Sequence, residues 1–187
     1  MTVRSSTVRR GASVLLALGV LAAGALSGCS GRPGAAAVVG GDQISVAYLQ
    51  TTTADLAPYL KGATQASVLM ALLQAPSFDR AATEQGVGVT HKQAVDRLDQ
   101  VASQAAAAGS APARTGRFSP GAVEVVRFAL ARQNLQGLPQ AAEVTAQVAK
   151  KLGALEVEVN PRYGTVDLAT GTTKPPSYAW LVPAAAG

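Results

Sequence analysis

Apolar residues recur every three or four positions along most of this chain, which is the period of a helix with one buried face. Two short stretches depart from that period. Residues 35–39, Ala-Ala-Ala-Val-Val, form a continuous apolar run bounded by glycines. Gly40-Gly41-Asp42 follows as a turn, and Gln43-Ile44 returns, so a small β-hairpin is predicted. Residues 155–159, Leu-Glu-Val-Glu-Val, alternate with period two and read as a half-buried strand. Between them lie about six predicted helices. Ser45 caps the first, with Val46, Leu49 and Leu56 on its apolar side, and Pro58 and Gly62 break it. The second covers about residues 63–74 with Val68, Leu69, Leu72 and Leu73. Ala75-Pro76 ends it, because proline has no N–H and its ring collides with the preceding turn. Ser77 caps a third through Phe78, Ala81 and Ala82, closed by Gly86 and Gly88. Thr90 caps a fourth with the face Val95, Leu98, Ala102 and Ala105. After a flexible loop at 109–117, Ser119 with Pro120 opens a fifth, whose stripe is Val123, Val126 and Leu130, widened by Phe128 and Ala129. Pro139 starts the sixth, with Val144, Val148 and Leu152 on one face and Lys150 and Lys151 in the last turn, where cations suit the helix dipole.

The fold class is therefore mainly α with a small β element. Strands this short are unstable alone. The economical solution pairs residues 157–159 with 35–39 and brings both ends of the domain together beside the helices. Past Asp167 the pattern fades, and residues 169–187 read as an extended or disordered tail.

One apolar run has no helical or strand period. Arg4, Arg9 and Arg10 precede residues 12–26, and Leu26-Ser27-Gly28-Cys29 ends the run. This is the layout of a secretory signal, and Leu-Ser-Gly-Cys resembles the lipobox of bacterial lipoproteins. The resemblance implies that Cys29, the only cysteine in the chain, receives a diacylglycerol and becomes the first mature residue. A spanning helix is the competing reading. Residues 11–26 are too few for it, since a helix needs about 20 apolar residues to cross a bilayer. The expected organisation is a signal at 1–28, a Gly/Pro tether at 29–34, a helical domain at 35–168 and a tail at 169–187. The expected location is the outer face of the cell membrane, held by lipid.

Loss of the signal removes three arginines and no acidic residue, so the net charge falls from +5 to +2. No basic cluster is interleaved with aromatics, which argues against nucleic acid as a partner. Alanine is the commonest residue and buries little area, so a thin core is expected. Candidate chemistry is sparse. His91 is the sole histidine, and neither a metal site nor acid–base catalysis can be built on it alone. The pairs Asp96/Asp99 and Glu156/Glu158 fit the wet faces of a helix and a strand. No phosphate-cradling glycine loop is present. Neither a cofactor nor an enzymatic activity is expected.

The stretch Ala37-Val38-Val39-Gly40-Gly41-Asp42-Gln43-Ile44-Ser45 resembles the start of the N-terminal chaperone domain of SurA-like and PrsA-like extracytoplasmic foldases. Two later segments extend the likeness: Val87-Gly88-Val89-Thr90, leading into a capped helix, and Val157-Glu158-Val159-Asn160-Pro161-Arg162-Tyr163-Gly164, similar to the closing strand and turn of actinobacterial lipoproteins with this domain. The resemblance spans roughly residues 35–168. It implies a fold of SurA N-terminal or trigger-factor C-terminal type and ATP-independent holding of unfolded secreted proteins. The parvulin-type isomerase domain of full foldases has no counterpart here, so isomerase activity is not carried over. Val123, Val126, Phe128 and Leu130 are the candidate client-binding residues, if the helices leave that stripe open. The alternative is an accessory or scaffold lipoprotein that binds one envelope partner. The turn at 160–164 is either a recognition element presenting Arg162 and Tyr163 or a structural turn set by Pro161 and Gly164.

Cys29→Ala is expected to abolish lipid labelling and lipoprotein-type processing. Persistent labelling with a palmitate analogue would reject the assignment.

Overall fold

Hydroxyl side chains set most of the helix starts. In the computed structural model, which describes residues 32–176, two short strands precede five consecutive helices, and three more strands with one 3-10 turn follow them. Strands β1 (Ala35–Val39) and β2 (Asp42–Ser45) form the hairpin. Helix α1 (Val46–Leu56) follows at once, with Ser45 Oγ accepting from the Tyr48 N–H at 3.1 Å. Helices α2 (Gln65–Glu84) and α3 (His91–Ala107) both open on capping boxes, Thr64 with Ser67 and Thr90 with Gln93. Helix α4 (Pro120–Gln136) has Ser119 as its cap and proline at its first position. Helix α5 (Ala141–Gly153) lacks a side-chain cap. It carries Glu143 in its first turn and Lys150 and Lys151 in its last, charges that oppose the helix dipole.

The expected second and third helices are one. Helix α2 runs through Pro76, and Ser77 lies inside it rather than capping a new helix. An internal proline costs about 3 kcal/mol. Val68, Leu69, Leu72, Leu73 and Phe78 are buried on both sides of it, and burying each such side chain is worth about 1.5–3 kcal/mol. Packing outweighs the break, and Pro76 itself is exposed. The helix count is therefore five, not six.

Strand β3 (Val157–Val159) pairs antiparallel with β1 in the register Ala37 to Val159, Val38 to Glu158 and Val39 to Val157, giving the sheet order β2-β1-β3. The pairing expected from the sequence is thus formed. Asn160 fastens its end. The backbone N–H donates to the Ala36 carbonyl at 2.9 Å, Nδ2 donates to the Ala35 carbonyl at 3.1 Å, and Oδ1 accepts from the Arg162 N–H at 3.1 Å. The 3-10 turn Pro161–Tyr163 buries Tyr163 to 6 % exposure. At Gly164, φ is +83°, and a Cβ would collide with the Lys174 carbonyl oxygen. The 160–164 motif is accounted for by structure, with Arg162 exposed over the Tyr163 ring.

Beyond it the chain forms a hairpin that the fading pattern did not suggest, β4 (Thr165–Asp167) with β5 (Thr172–Lys174). Asp167 Oδ1 accepts from the N–H groups of Ala169 and Thr170 and so holds the turn. Those bonds, that from Thr170 foremost, keep its carboxyl below the usual aspartate range. Leu168 is buried, and its carbonyl accepts from Gln74 Nε2 of α2 at 2.8 Å.

Helix α2 is the central element, packed against α1, α4 and α5. Phe78 of α2 meets Phe128 of α4 edge-on at 5.2 Å between ring centres. Helices α1 and α4 touch at Gly121, where a Cβ would overlap Thr52 Oγ1 and approach Tyr48. Thr52 is fully buried, its hydroxyl donating to the Tyr48 carbonyl at 2.8 Å. The loop at 109–117 is tied down at Arg114, which pairs with Asp55 and lies 3.8 Å above the Phe118 ring. Burial pushes the Asp55 carboxyl up, and the bonds from Ser119 and Arg114 more than offset that, so it sits below its ordinary range.

Gly121→Ala is expected to cost about 1–3 kcal/mol, the range for overpacking, with part of the loss recovered when Thr52→Ala is added. Thermal or urea unfolding measures both. An unchanged midpoint in the single variant would contradict the close approach.

Candidate functional site

The stripe proposed to face clients lies mostly inside the protein. Val123, Val126 and Phe128 are 4 %, 7 % and 8 % exposed, and Leu130 is half-buried between α3 and α4. The reason is the position of α4. It is sandwiched between α2 and α3, with α1 and α5 also against it, so apolar residues around most of its circumference find partners. As a client surface, Val123, Val126 and Phe128 are corrected to core, and Leu130 stays partly accessible. Among the described residues, Leu155 is the one large hydrophobic side chain that is exposed, at 40 %. Cys29 lies outside the described residues. His91 is exposed at the start of α3. Asp96 pairs with Lys92 at 2.7 Å on the solvent face of that helix, and Asp99, Glu156 and Glu158 are exposed. No group of three or more His, Cys, Asp or Glu residues gathers among the described residues.

What the helices leave instead is a concave site. Helices α2, α4 and α5 do not close fully on one another, and the turn of the β4–β5 hairpin forms the remaining wall of a cavity of about 360 Å³. Met70, Ala71, Phe78, Phe128 and Leu152 supply apolar lining, while Gln74, Arg132, Gln136, Thr145, Thr170 and Thr173 supply amide, guanidinium and hydroxyl groups. Each wall has a local cause. The α2 wall exists because that helix continues past Pro76 to present Phe78. The hairpin wall is positioned by the Gln74 bond to Leu168. Gly171, at φ +68°, allows the chain to turn back against α2. An apolar lining with a few placed polar groups suits an amphipathic guest. Sequence reasoning missed this site because the hairpin was not anticipated. The available signal was Asp167 followed at a short interval by Gly171, a turn pair between Thr/Val-rich segments.

A second polar cluster ties α1, α2 and α4 together. Tyr48 Oη donates to Glu124 at 3.1 Å. Arg127 pairs with Asp79 and donates from Nε to the Val89 carbonyl at 3.2 Å. Desolvation pushes the Glu124 carboxyl up, and the nearby Asp79 charge adds to this against the pull of Tyr48 and Arg127. Asp79 is also raised, burial outweighing its ion pair with Arg127, and one of its oxygens is buried without a partner. Tyr48 is pushed up to about 12 by burial and by Glu124. Two carboxylates thus compete for one guanidinium. None of the four side chains lines the α2/α4/α5 cavity, so the cluster contributes to helix packing rather than to that site.

Glu124 has a folded-state pKa above its unfolded value. Its contribution to stability is fully present below the unfolded pKa and is lost as pH rises through the folded one. Glu124→Gln is therefore expected to raise the melting temperature at pH 7 and to give a smaller gain at pH 4. The opposite ordering in melts at the two values would overturn the assignment.

No protein-family model, curated protein or solved structure matches the chain.

Proposed function

We propose that the protein is a lipid-anchored extracytoplasmic binding module that holds one defined envelope partner through the α2/α4/α5 cavity. The observation that carries this reading is the distribution of apolar surface. Promiscuous holding of unfolded chains calls for contiguous exposed apolar area beyond a few hundred Å². Here Val123, Val126 and Phe128 are core, Leu155 is the one exposed large hydrophobic side chain among the described residues, and the cavity of about 360 Å³ between α2, α4 and α5 combines apolar with polar lining. A cavity of that size takes one or two large side chains from a partner segment. The mixed lining favours a segment whose backbone or polar groups can bond to Gln136, Thr145 and Thr170 while an apolar side chain meets Phe78 and Phe128.

The order of a hairpin, a helical body and a closing strand on β1 supports descent of this architecture from the foldase chaperone domains that the sequence resembles. In this chain the architecture serves as an accessory or scaffold protein, tethered through Cys29 and working without nucleotide or metal.

The test is cross-linking of the tagged, full-length protein in its own membrane, followed by stoichiometric isolation. One partner in fixed ratio is expected. Ala149→Arg places a long cation from α5 into the cavity and is expected to reduce capture about tenfold or more, equivalent to about 1.4 kcal/mol. His91→Ala, on an exposed helix start, should leave capture unchanged. Recovery of many unfolded secreted proteins, equally by the wild type and Ala149→Arg, would overturn this reading and favour a general chaperone.

A further inference from the structure

We infer that the α2/α4/α5 cavity is a docking site for the chain's own C-terminal segment, with Trp180 as the anchoring side chain. Three observations meet here. The cavity has an aromatic and aliphatic lining that includes Met70, Phe78, Phe128 and Leu152. The strand that ends the described part of the chain is itself a wall of the cavity, since Thr173 of β5 lines it, as does Gly171 just before that strand. Residues 177–187 follow Pro176 and open with Ser-Tyr-Ala-Trp-Leu-Val-Pro, holding the only tryptophan of the sequence in a run of large apolar residues.

Reach is sufficient. Trp180 lies seven residues beyond Thr173, and an extended chain covers at most about 3.3–3.6 Å per residue, so the segment can fold back over the whole floor. Affinity has a source as well. A tryptophan side chain removes about 150–250 Å² from water when buried and brings an indole N–H that needs an acceptor. The carbonyl oxygens of Gln74 and Gln136 and the threonine hydroxyls of the rim supply that type of group. Tethering helps further, because a short linker replaces a bimolecular encounter by an effective concentration in the millimolar range. Residues 184–187, Ala-Ala-Ala-Gly, add no large side chain, so Tyr178, Trp180, Leu181 and Val182 carry the contact. Occupancy by the chain itself requires no partner. An envelope segment that uses the same cavity has to displace the tail.

Disulfide trapping in the purified, full-length protein, free of other envelope proteins, tests this. Cys29 is the one native cysteine, so a pair introduced by Ala149→Cys and Leu181→Cys can be identified unambiguously by peptide mapping. A disulfide needs Cα atoms within about 7 Å. The reference pair is Thr165→Cys with Leu181→Cys. Thr165 is exposed and sits opposite Lys174 on the hairpin, close to where the segment begins, so a freely moving tail meets it more often than it meets Ala149. Docking predicts that the Ala149 pair oxidises at least about tenfold faster than the Thr165 pair, and that adding Trp180→Ser erases the difference. A Thr165 pair that forms as fast as the Ala149 pair, or an Ala149 pair indifferent to Trp180→Ser, would refute the docking. Either result is read without any partner present, so it is separate from the capture experiment: partner binding lost in Ala149→Arg alongside a freely moving tail leaves the partner reading intact and removes this one.

Discussion

Everything in this domain leans on the buried face of α2, which resumes beyond Pro76. Eleven of its residues are buried, from Val68 to Ala82, and α1, α4 and α5 each pack against it. The proline in its middle makes the dependence visible. A helix that lost its bond and accommodated a pyrrolidine ring at Pro76 survives only because apolar contacts before and after that point hold it in line. The same continuity places Phe78 opposite Phe128 and gives the cavity one of its aromatic walls. Were the helix to end at Gln74, the amide that holds the β4–β5 turn would sit at a fraying terminus, and the cavity would lose both its end and its side.

Much of this was legible in the sequence. Capping residues at Ser45, Thr90 and Ser119 announced three helix starts, because a hydroxyl or its equivalent is needed to satisfy the first free N–H groups. The alternation at 155–159 and the glycine-bounded run at 35–39 were enough to predict the β1–β3 pairing. Local rules failed where tertiary packing overrode them. Pro76 and Ser77 together form a strong local stop signal, and only the partners of Leu72, Leu73 and Phe78, distant in sequence, defeat it. The β4–β5 hairpin was hidden for a related reason. Its strands are three residues each and largely exposed, so they carry no hydrophobic period, and an Asp167 turn and a single glutamine on α2 hold them.

The candidate site was the least legible part. A stripe such as Val123, Val126, Phe128 and Leu130 has the same pattern whether it faces a core or a client. The distinction rests on how many neighbours surround α4, and no property of the α4 sequence encodes that number. The cavity, in turn, is a property of what three helices fail to fill. Small residues such as Ala71 and Ala149 at the facing positions leave room that larger ones would have closed.

The place of β1 has a mechanical meaning. It is the middle strand of its sheet, with β2 on one side and β3 on the other, both antiparallel to it. Arg32 leads into this strand through a turn at residues 33 and 34, closed by the Ala35 N–H donating to the Arg32 carbonyl at 3.0 Å. A middle strand leaves its sheet only by breaking two hydrogen-bond ladders, where an edge strand breaks one. Beyond β3, the Asn160 side chain grips the Ala35 carbonyl at the point of entry. Displacing β1 therefore disturbs both of its neighbours, and β2 runs without a break into α1 and so into the helical body.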